Sequence, residues 1–434
     1  MRHLYSFLLF CLLPFVFLRL WWRGKQQIGY RQRWGERLGF IKKTTLSKIF
    51  DNKPRLWLHT VSVGEFIAAK PLIDHFLKED LYQLVITCTT PTGSEQIKKS
   101  YSENIIHVYA PYDLSIFIKR FIKVIKPKAY LIMETELWPN TIHHCKKNNI
   151  PSILVNARLS EKSARGYQKL SRLSKELVEN LSLVVAQYEN DAIRFKRLGL
   201  QKEKCIISGS IKFDLEINKE TIEQAHNIRS WINSKNELPI FIAASTHKGE
   251  DQKILSAFKS LKQNVCYSRL ILVPRHVDRF EEVYNLWEKN NLNVIKRSEH
   301  MELQTITNKE FDILLGDTMG EMLSLLGASD IAFIGGSLIE NGGHNYIEAA
   351  VWQIPILAGP SRFNFQTISE QLIANDGLTI INDEIELAHQ WQILIENPKL
   401  RKKKGDAAKF IADQNRGALS RAIIAIESAI GSSD

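Results

Sequence analysis

The chain has 434 residues, 44% hydrophobic and 24% charged. These proportions exclude a disordered or low-complexity chain, and the length suits two domains of about 150–200 residues each. The net charge of +11 is unevenly placed: the first 55 residues hold +10 of it. That excludes nucleic acid as the main partner, since a nucleic-acid binder spreads basic charge over its folded domains.

Residues 4–22 read LYSFLLFCLLPFVFLRLWW. Nineteen such residues are just long enough to span or deeply enter a bilayer, although Pro14 and Arg19 weaken the segment as a free-standing span. Trp21 and Trp22 occupy the place of an interfacial aromatic belt. The next stretch, residues 23–55, carries Arg23, Lys25, Arg31, Arg33, Arg37, Lys42, Lys43, Lys48, Lys53 and Arg55 against Glu36 and Asp51. Basic charge directly after an apolar segment points to anionic lipid headgroups and keeps the following chain in the cytoplasm. The rival reading, a cleaved signal peptide, lacks a small-residue cleavage site after the apolar run. The expectation is an uncleaved anchor over residues 1–22, with spanning and lying in one leaflet both open.

The cysteines Cys11, Cys88, Cys145, Cys205 and Cys266 are scattered and odd in number. They predict a reducing compartment, no disulfide frame and no zinc site.

From residue 55 onward, short apolar runs alternate with amphipathic stretches. Strands are predicted over 56–59, 84–87, 105–109, 130–133, 152–156 and 183–186, with helices between them such as 65–77 and 115–125. The second half repeats the habit, with strands over 240–244, 270–273, 294–296, 313–315, 331–334, 354–357 and 378–381. Strands separated by helices imply parallel sheets covered on both faces. The expectation is an α/β protein of two doubly wound, Rossmann-like domains, 23–215 and 236–434. The linker falls within 213–237, and the two domains face a cleft in which ligands collect at the carboxyl ends of the strands.

Ser62-Val63-Gly64-Glu65 follows the first strand. Glu65 opens a helix, where the dipole favours a carboxylate, so it reads either as a cap or as a general base. Met133-Glu134-Thr135-Glu136-Leu137-Trp138-Pro139-Asn140 ends a strongly apolar strand. Two acids there exceed what a plain connection needs, yet Glu-x-Glu supplies too few oxygens to hold a hard cation. Gly209-Ser210-Ile211-Lys212-Phe213-Asp214 places a lysine near the expected hinge. There it is either simply exposed or a cation that stabilises charge in a transition state.

Four loops in the second half sit at strand ends. Val273-Pro274-Arg275-His276 presents a fixed cation. Gly316-Asp317-Thr318-Met319-Gly320-Glu321 turns into a helix. Gly335-Gly336-Ser337 follows another strand, and Glu340 to Glu348 (ENGGHNYIE) leads into the next helix. Glycines let N–H groups approach a phosphate. Asn345 and Glu348, three apart on a helix, share a face on which a carboxylate can accept ribose hydroxyls. Together the loops favour nucleotide binding.

These segments resemble the bacterial Kdo transferases, the lipid A-specific 3-deoxy-D-manno-octulosonic acid transferases of lipopolysaccharide synthesis. The resemblance rests on Arg31-Gln32-Arg33-Trp34-Gly35-Glu36-Arg37, residues 59–65, Thr90-Pro91-Thr92-Gly93-Ser94, residues 133–140, Asn156-Ala157-Arg158-Leu159-Ser160, Ser245-Thr246-His247 and the four loops. It implies a two-domain GT-B fold and an inverting transfer from CMP-Kdo to a lipid A precursor (lipid IVA), with no metal or other cofactor. It further implies Glu65 as general base and Glu134 and Lys212 as transition-state stabilisers, with Glu136 a possible substitute for Glu134. The CMP site would be Pro274, Arg275, His276, Met319, Gly320, Glu321, Gly336, Ser337, Asn345, Tyr346, Ile347 and Glu348. Tyr346-Ile347 departs from the Pro-Leu type of pair common there and leaves the Asn345–Glu348 face intact. The implied place is the cytoplasmic face of the inner membrane. Two other readings share these features: a UDP-sugar-dependent transferase with a lipid-linked acceptor, and a membrane-tethered nucleotide-binding module without catalysis.

Overall fold

The computed structural model describes residues 1–25, 27–46, 53–101, 104–232, 239–264, 268–302 and 311–431. Lys48, Asp51, Cys266 and residues 233–237 of the expected linker lie outside them. The chain forms two units. Unit 1 comprises Met1–Asp214 together with the segment from Gly417 onward, and unit 2 comprises Leu215–Arg416.

Unit 1 is built on seven parallel strands: β1 (Arg55–His59), β2 (Gln83–Cys88), β3 (Ile106–Tyr109), β4 (Pro127–Met133), β5 (Ser152–Ala157), β6 (Leu183–Ala186) and β7 (Cys205–Ile207). Their order is β3-β2-β1-β4-β5-β6-β7. The runs are apolar at nearly every position because helices cover both faces of the sheet. Register follows that burial: Leu58 stands opposite Ile86 of β2 and Leu131 of β4, all three fully buried. The strand β7 was not expected. It is a three-residue edge strand, half exposed, and so has no apolar run to reveal it.

Unit 2 repeats the plan with β8 (Ile240–Thr246), β9 (Arg269–Pro274), β10 (Val294–Lys296), β11 (Ile313–Leu315), β12 (Ile331–Ile334), β13 (Ile356–Ala358) and β14 (Leu378–Ile380). All are parallel, in the order β10-β11-β9-β8-β12-β13-β14. All seven were legible as apolar runs, with ends displaced by a few residues.

Two expected boundaries need correction. The helix Lys219–Ile232 belongs to unit 2 rather than to a linker. Gln224 donates to Glu321 at 2.7 Å, and Arg229 forks onto Asp330 at 3.0 and 3.1 Å. The last helix, Ala418–Gly431, leaves unit 2 and packs on unit 1. Its Ala422, Ile423, Ile426 and Ile430 join Leu56, Ile86 and Ile211 in one core. The Asp214 carboxylate accepts the N–H groups of Gly417 and Leu419 at its start, at 3.0 and 2.7 Å. This cap satisfies two otherwise orphaned donors of the helix.

The helix Arg2–Arg23 also belongs to unit 1. Among the described residues it is the one helix long and apolar enough to cross a membrane. One face docks along the unit. Arg2 and Ser6 bond the Asn140 side chain at 3.0 and 3.2 Å, and Phe17 meets Trp34 and Tyr112. Near the other end, Arg31 donates to the Trp21 carbonyl at 2.9 Å. The opposite face exposes Phe7, Phe10, Phe15, Leu18 and Trp22.

Candidate functional site

In unit 1 the strand order turns back between β1 and β4. Loops leaving two such strands diverge, so a crevice forms at the carboxyl edge. Ser62 to Glu65 follows β1 and Glu134 to Glu136 follows β4, so the sheet topology brings both acidic motifs to one edge.

Glu65 lies in the first turn of the helix Val63–Glu79. The Ser62 hydroxyl accepts its N–H at 3.4 Å, and the Glu65 carboxylate accepts the Val61 N–H at 2.7 Å. The cap expected from sequence is therefore present. It engages one carboxylate oxygen, Oε2, and leaves the other without a hydrogen-bond partner among the described residues. Burial pushes the Glu65 carboxyl up to about 7 against the pull of the Val61 N–H. Glu134 and Glu136 raise it further and Lys212 lowers it. A carboxylate that titrates near neutrality suits a general base.

Glu134 adopts φ +58, in the left-handed region, which a non-glycine residue enters only under constraint. Its N–H bonds the Val155 carbonyl at 3.0 Å, and its Oε1 lies 2.6 Å from Lys212 Nζ. Glu136 is pushed up by burial and then by Glu134.

Lys212 stands on a short 3-10 turn, Ile211–Phe213. Asn156, at the end of β5 and itself left-handed at φ +54, accepts the Ile211 N–H at 3.1 Å. Ile211 is buried on one side of that turn and Asp214 caps the last helix on the other. The lysine is thus held by its neighbours rather than left to hang in solvent. Glu65, Glu134, Glu136 and Lys212 form one electrostatically coupled group.

In unit 2 the corresponding reversal lies between β8 and β12. Arg275 after β9 is exposed, and its charge reaches His247, His344 and Glu348. Nε2 of His247 lies 2.7 Å from Nε2 of His344, and the His276 ring stands edge-on to His247. Burial, then Arg275 and the neighbouring histidines, lowers His344 to about 4. Burial also lowers His247, followed by His276 and the two arginines Arg279 and Arg275. Arg275 is thus an exposed cation beside two histidines whose charged forms are disfavoured by burial and by neighbouring cations. Asn345 donates to Glu348 at 3.2 Å, as expected for two residues on one face. Burial raises the Glu348 carboxyl, while Asn345 and Arg275 draw it down.

Other expected donor residues are placed differently. The N–H groups of Gly336, Ser337 and Leu338 do not face an open nest. They donate at 2.7, 3.0 and 2.9 Å to the fully buried Glu250, which also takes the His247 N–H at 3.0 Å. Tyr346 and Ile347 turn fully buried side chains into the core, because this turn needs apolar anchors on its inner face. Glu321 is held by Arg297 and Gln224 at 2.8 and 2.7 Å and by the Thr318 hydroxyl, so its carboxylate is already occupied. Pro274 ends β9, buried. Met319 and Gly320 stand on an open turn, with Met319 75% exposed and Gly320 at φ +91. Among the described residues no group of three or more His, Cys, Asp or Glu could hold a metal.

Residues 32–215 match the family described as 3-deoxy-D-manno-octulosonic-acid transferase (kdotransferase). The 3-deoxy-D-manno-octulosonic acid transferase of Haemophilus influenzae is 38% identical, over 97% of this chain and 96% of that one. The chain belongs to the Kdo transferase family. The transferase of Bordetella pertussis is 30% identical over 99% of this chain and 100% of its own. Among solved structures, UDP-GlcNAc 2-epimerase from Neisseria meningitidis matches with a TM-score of 0.56 at 12% identity, over 86% of this chain and all of that one. That likeness is one of fold, the doubly wound pair of the GT-B class.

Two groups in this Kdo transferase carry structural weight that the sequence did not reveal. Asn156 was visible only as part of a motif, and its grip on the Lys212 turn depends on a contact 55 residues along the chain. Glu250 follows β8 as an ordinary polar residue, and nothing in its local pattern announces that four N–H groups converge on it.

Proposed function

We propose that the protein transfers Kdo with inversion from CMP-Kdo to a hydroxyl of a lipid A precursor, without a metal ion, at the cytoplasmic face of a bacterial inner membrane. The observation that carries the reading is Glu65. In a Kdo transferase it is a half-buried carboxylate titrating near neutrality, coupled to Glu134, Glu136 and Lys212 at the topological switch of its sheet. The acceptor oxygen forms a bond to the anomeric carbon as its proton passes to Glu65. The bond from that carbon to the CMP phosphate breaks, and its electron pair leaves with the phosphate. Positive charge develops on the sugar as that bond breaks, and the Glu134 carboxylate, held by Lys212 at 2.6 Å, is positioned to offset it. Arg275, with the histidines around it, offsets the charge on the leaving CMP, and the Asn345–Glu348 face takes the ribose. Lewis-acid help is not required where fixed cations absorb the charge.

The first helix supports membrane association in a particular form. It is about 33 Å long, yet Arg2 at one end and Trp21 near the other both bond unit 1. A spanning helix would have to carry one of those ends across the bilayer. These contacts support a helix that lies in one leaflet, apolar face inward, with basic residues beside the headgroups.

The deciding experiment is mass spectrometry of the product formed from CMP-Kdo and a tetra-acylated lipid A precursor, in buffer with EDTA. A mass increase of one or more Kdo units supports the reading. Transfer from a UDP-sugar instead, or full loss of activity with EDTA, would sink it.

A further inference from the structure

The segments Arg31 to Arg37 and Thr90 to Ser94 carry part of the family resemblance, yet the chemistry proposed above uses neither. Both converge on the turn that sets Glu65. Ser62-Val63-Gly64-Glu65 has the spacing of a capping box, in which the acid bonds the N–H of the capping residue itself. Here the Glu65 carboxylate reaches one residue further back, to the Val61 N–H at 2.7 Å. Val61 stands outside the helix Val63–Glu79, so the helix alone does not fix it.

Two hydroxyls hold it instead. Thr89 Oγ1 donates to the Val61 carbonyl at 3.1 Å, and Thr90 Oγ1 reaches the same oxygen at 3.4 Å. Both lie on the short connection between β2 and the helix Pro91–Tyr101. That connection is gripped in turn from the segment after the first helix. Arg37 Nη2 donates to the Thr89 carbonyl at 2.9 Å. Arg33 donates to Ser94 Oγ at 2.8 Å and to the His107 carbonyl at 3.0 Å. The Arg33 and Arg37 guanidiniums stand over the Tyr109 ring at 4.6 and 4.2 Å. Glu36 accepts Arg33 Nε and the Tyr109 N–H, each at 2.8 Å.

Arg37 is 2% exposed, and its Nε has no hydrogen-bond partner. Burying a guanidinium on those terms destabilises a fold, so packing alone does not account for a charge at this place. Its contact leads, through Thr89 and Val61, to one oxygen of Glu65. With Oε2 pinned, Oε1 is left to take a proton. Misplacing a reacting group by about 1 Å can cost on the order of 100-fold in rate.

Resting on the role of Glu65 proposed above, we propose that Arg37 and Thr89 are positioning residues for the general base: they fix the Val61 peptide, which holds Oε2 and presents Oε1 to the acceptor hydroxyl. The test uses full-length protein in mixed micelles. Thr89→Val keeps the β-branched shape and deletes the donor, whereas Thr89→Ser keeps the donor. Thr90 is left intact because its hydroxyl also accepts the Gly93 N–H at 3.2 Å. Thr89→Val should lower kcat about tenfold. It should also move the acid limb of kcat/KM to higher pH, because a loosened Val61 N–H favours the ionised carboxylate less. The charged groups that act on Glu65, namely Glu134, Glu136 and Lys212, are untouched, so the shift reports the Val61 contact. KM for CMP-Kdo should stay as it is, and Thr89→Ser should restore both kcat and the limb. Arg37→Lys keeps the charge without the fork and should shift the limb in the same direction. If Thr89→Val does not fold, Arg37→Lys decides by the same readings. An unmoved limb, or Thr89→Ser as impaired as Thr89→Val, overturns the proposal. NMR of protein labelled with 15N-valine reads the contact without turnover: the Val61 amide should follow the ionisation of Glu65, with a higher midpoint in Thr89→Val. Equal midpoints overturn the positioning whatever the activity. Full activity in Glu65→Gln refutes the general base itself, whereas normal turnover with an unmoved limb in Thr89→Val refutes only the positioning.

Discussion

Nζ of Lys212 lies 2.6 Å from Oε1 of Glu134, so the cation that follows edge strand β7 is paired with the carboxylate that ends β4, three places away in the sheet. The pair sets the electrostatics around Glu65. Of its charged neighbours, Lys212 pulls the Glu65 carboxyl down, and Glu134 and Glu136 push it up. Both members of the pair are only partly exposed, so solvent screens them less than it would a surface pair.

Replacing Lys212 with Met should move the acid limb of the kcat/KM profile to higher pH. In the wild type that limb should fall near pH 7, because the proposed role of general base requires ionised Glu65 and burial pushes its carboxyl up to about 7. Removing the cation leaves the two carboxylates unopposed and favours the protonated, inactive form. The same change should lower kcat at its pH plateau about 100-fold if the lysine also holds Glu134 in place against the charge on the sugar. A pH–rate profile with an unmoved limb would uncouple Lys212 from Glu65.

The opposite sign belongs to Glu136→Gln. Glu136 raises the Glu65 carboxyl, so its neutralisation should shift the acid limb to lower pH. Glu65→Gln should abolish transfer while leaving CMP binding nearly intact. Together the three variants separate a general base from a cap: a residue serving only the helix start would cost stability without bending the pH profile.

Glu65, Glu136 and Lys212 lie in motifs legible in the sequence, and the reason for that legibility is physical. Parallel strands buried on both faces must be apolar at nearly every position, so β1, β4 and β12 show as uninterrupted runs, and the polar residues at their ends stand out. What stayed hidden depends on distance along the chain. The closing helix Ala418–Gly431 reads as an ordinary amphipathic continuation of unit 2. Its home on unit 1 is set by residues some two hundred positions earlier and more: the Asp214 carboxylate at its start and the core around Leu56, Ile86 and Ile211. Likewise the glycines after β12 announce a tight turn but not what their N–H groups bind, and Glu250 fills a place that chemistry alone would offer to phosphate.

Asp214→Ala tests that tether. The substitution leaves two helix-start N–H groups without acceptors and loosens the turn that carries Lys212. Loss of an N-cap costs about 1–2 kcal/mol, so the urea midpoint should fall by a corresponding amount. Because Lys212 lies two residues away, kcat should drop as well, with KM for CMP-Kdo little changed. A stability loss with kcat intact would show that the turn keeps its shape without the cap.

Glu250→Ala probes the opposite unit. Its carboxylate gathers four N–H groups from the turn after β8 and the loop after β12. Removing it strands those donors in a site that excludes water, at roughly 1–3 kcal/mol for each left unsatisfied and less where the loop can relax. The loop should therefore rearrange, and it is the loop that meets the His344-bearing segment, since Gly343 N–H donates to the Gly336 carbonyl at 2.7 Å. The expected result is a lowered urea midpoint together with at least a tenfold weaker affinity for CMP, measured by calorimetry on the folded variant. Glu250→Gln should be milder in stability, since its amide oxygen still accepts, but its NH2 group would face N–H donors and weaken CMP binding in the same direction. If either variant binds CMP as tightly as the wild type, the loop after β12 plays no part in shaping the donor site, and the nucleotide is held by Arg275 and the Asn345–Glu348 face alone.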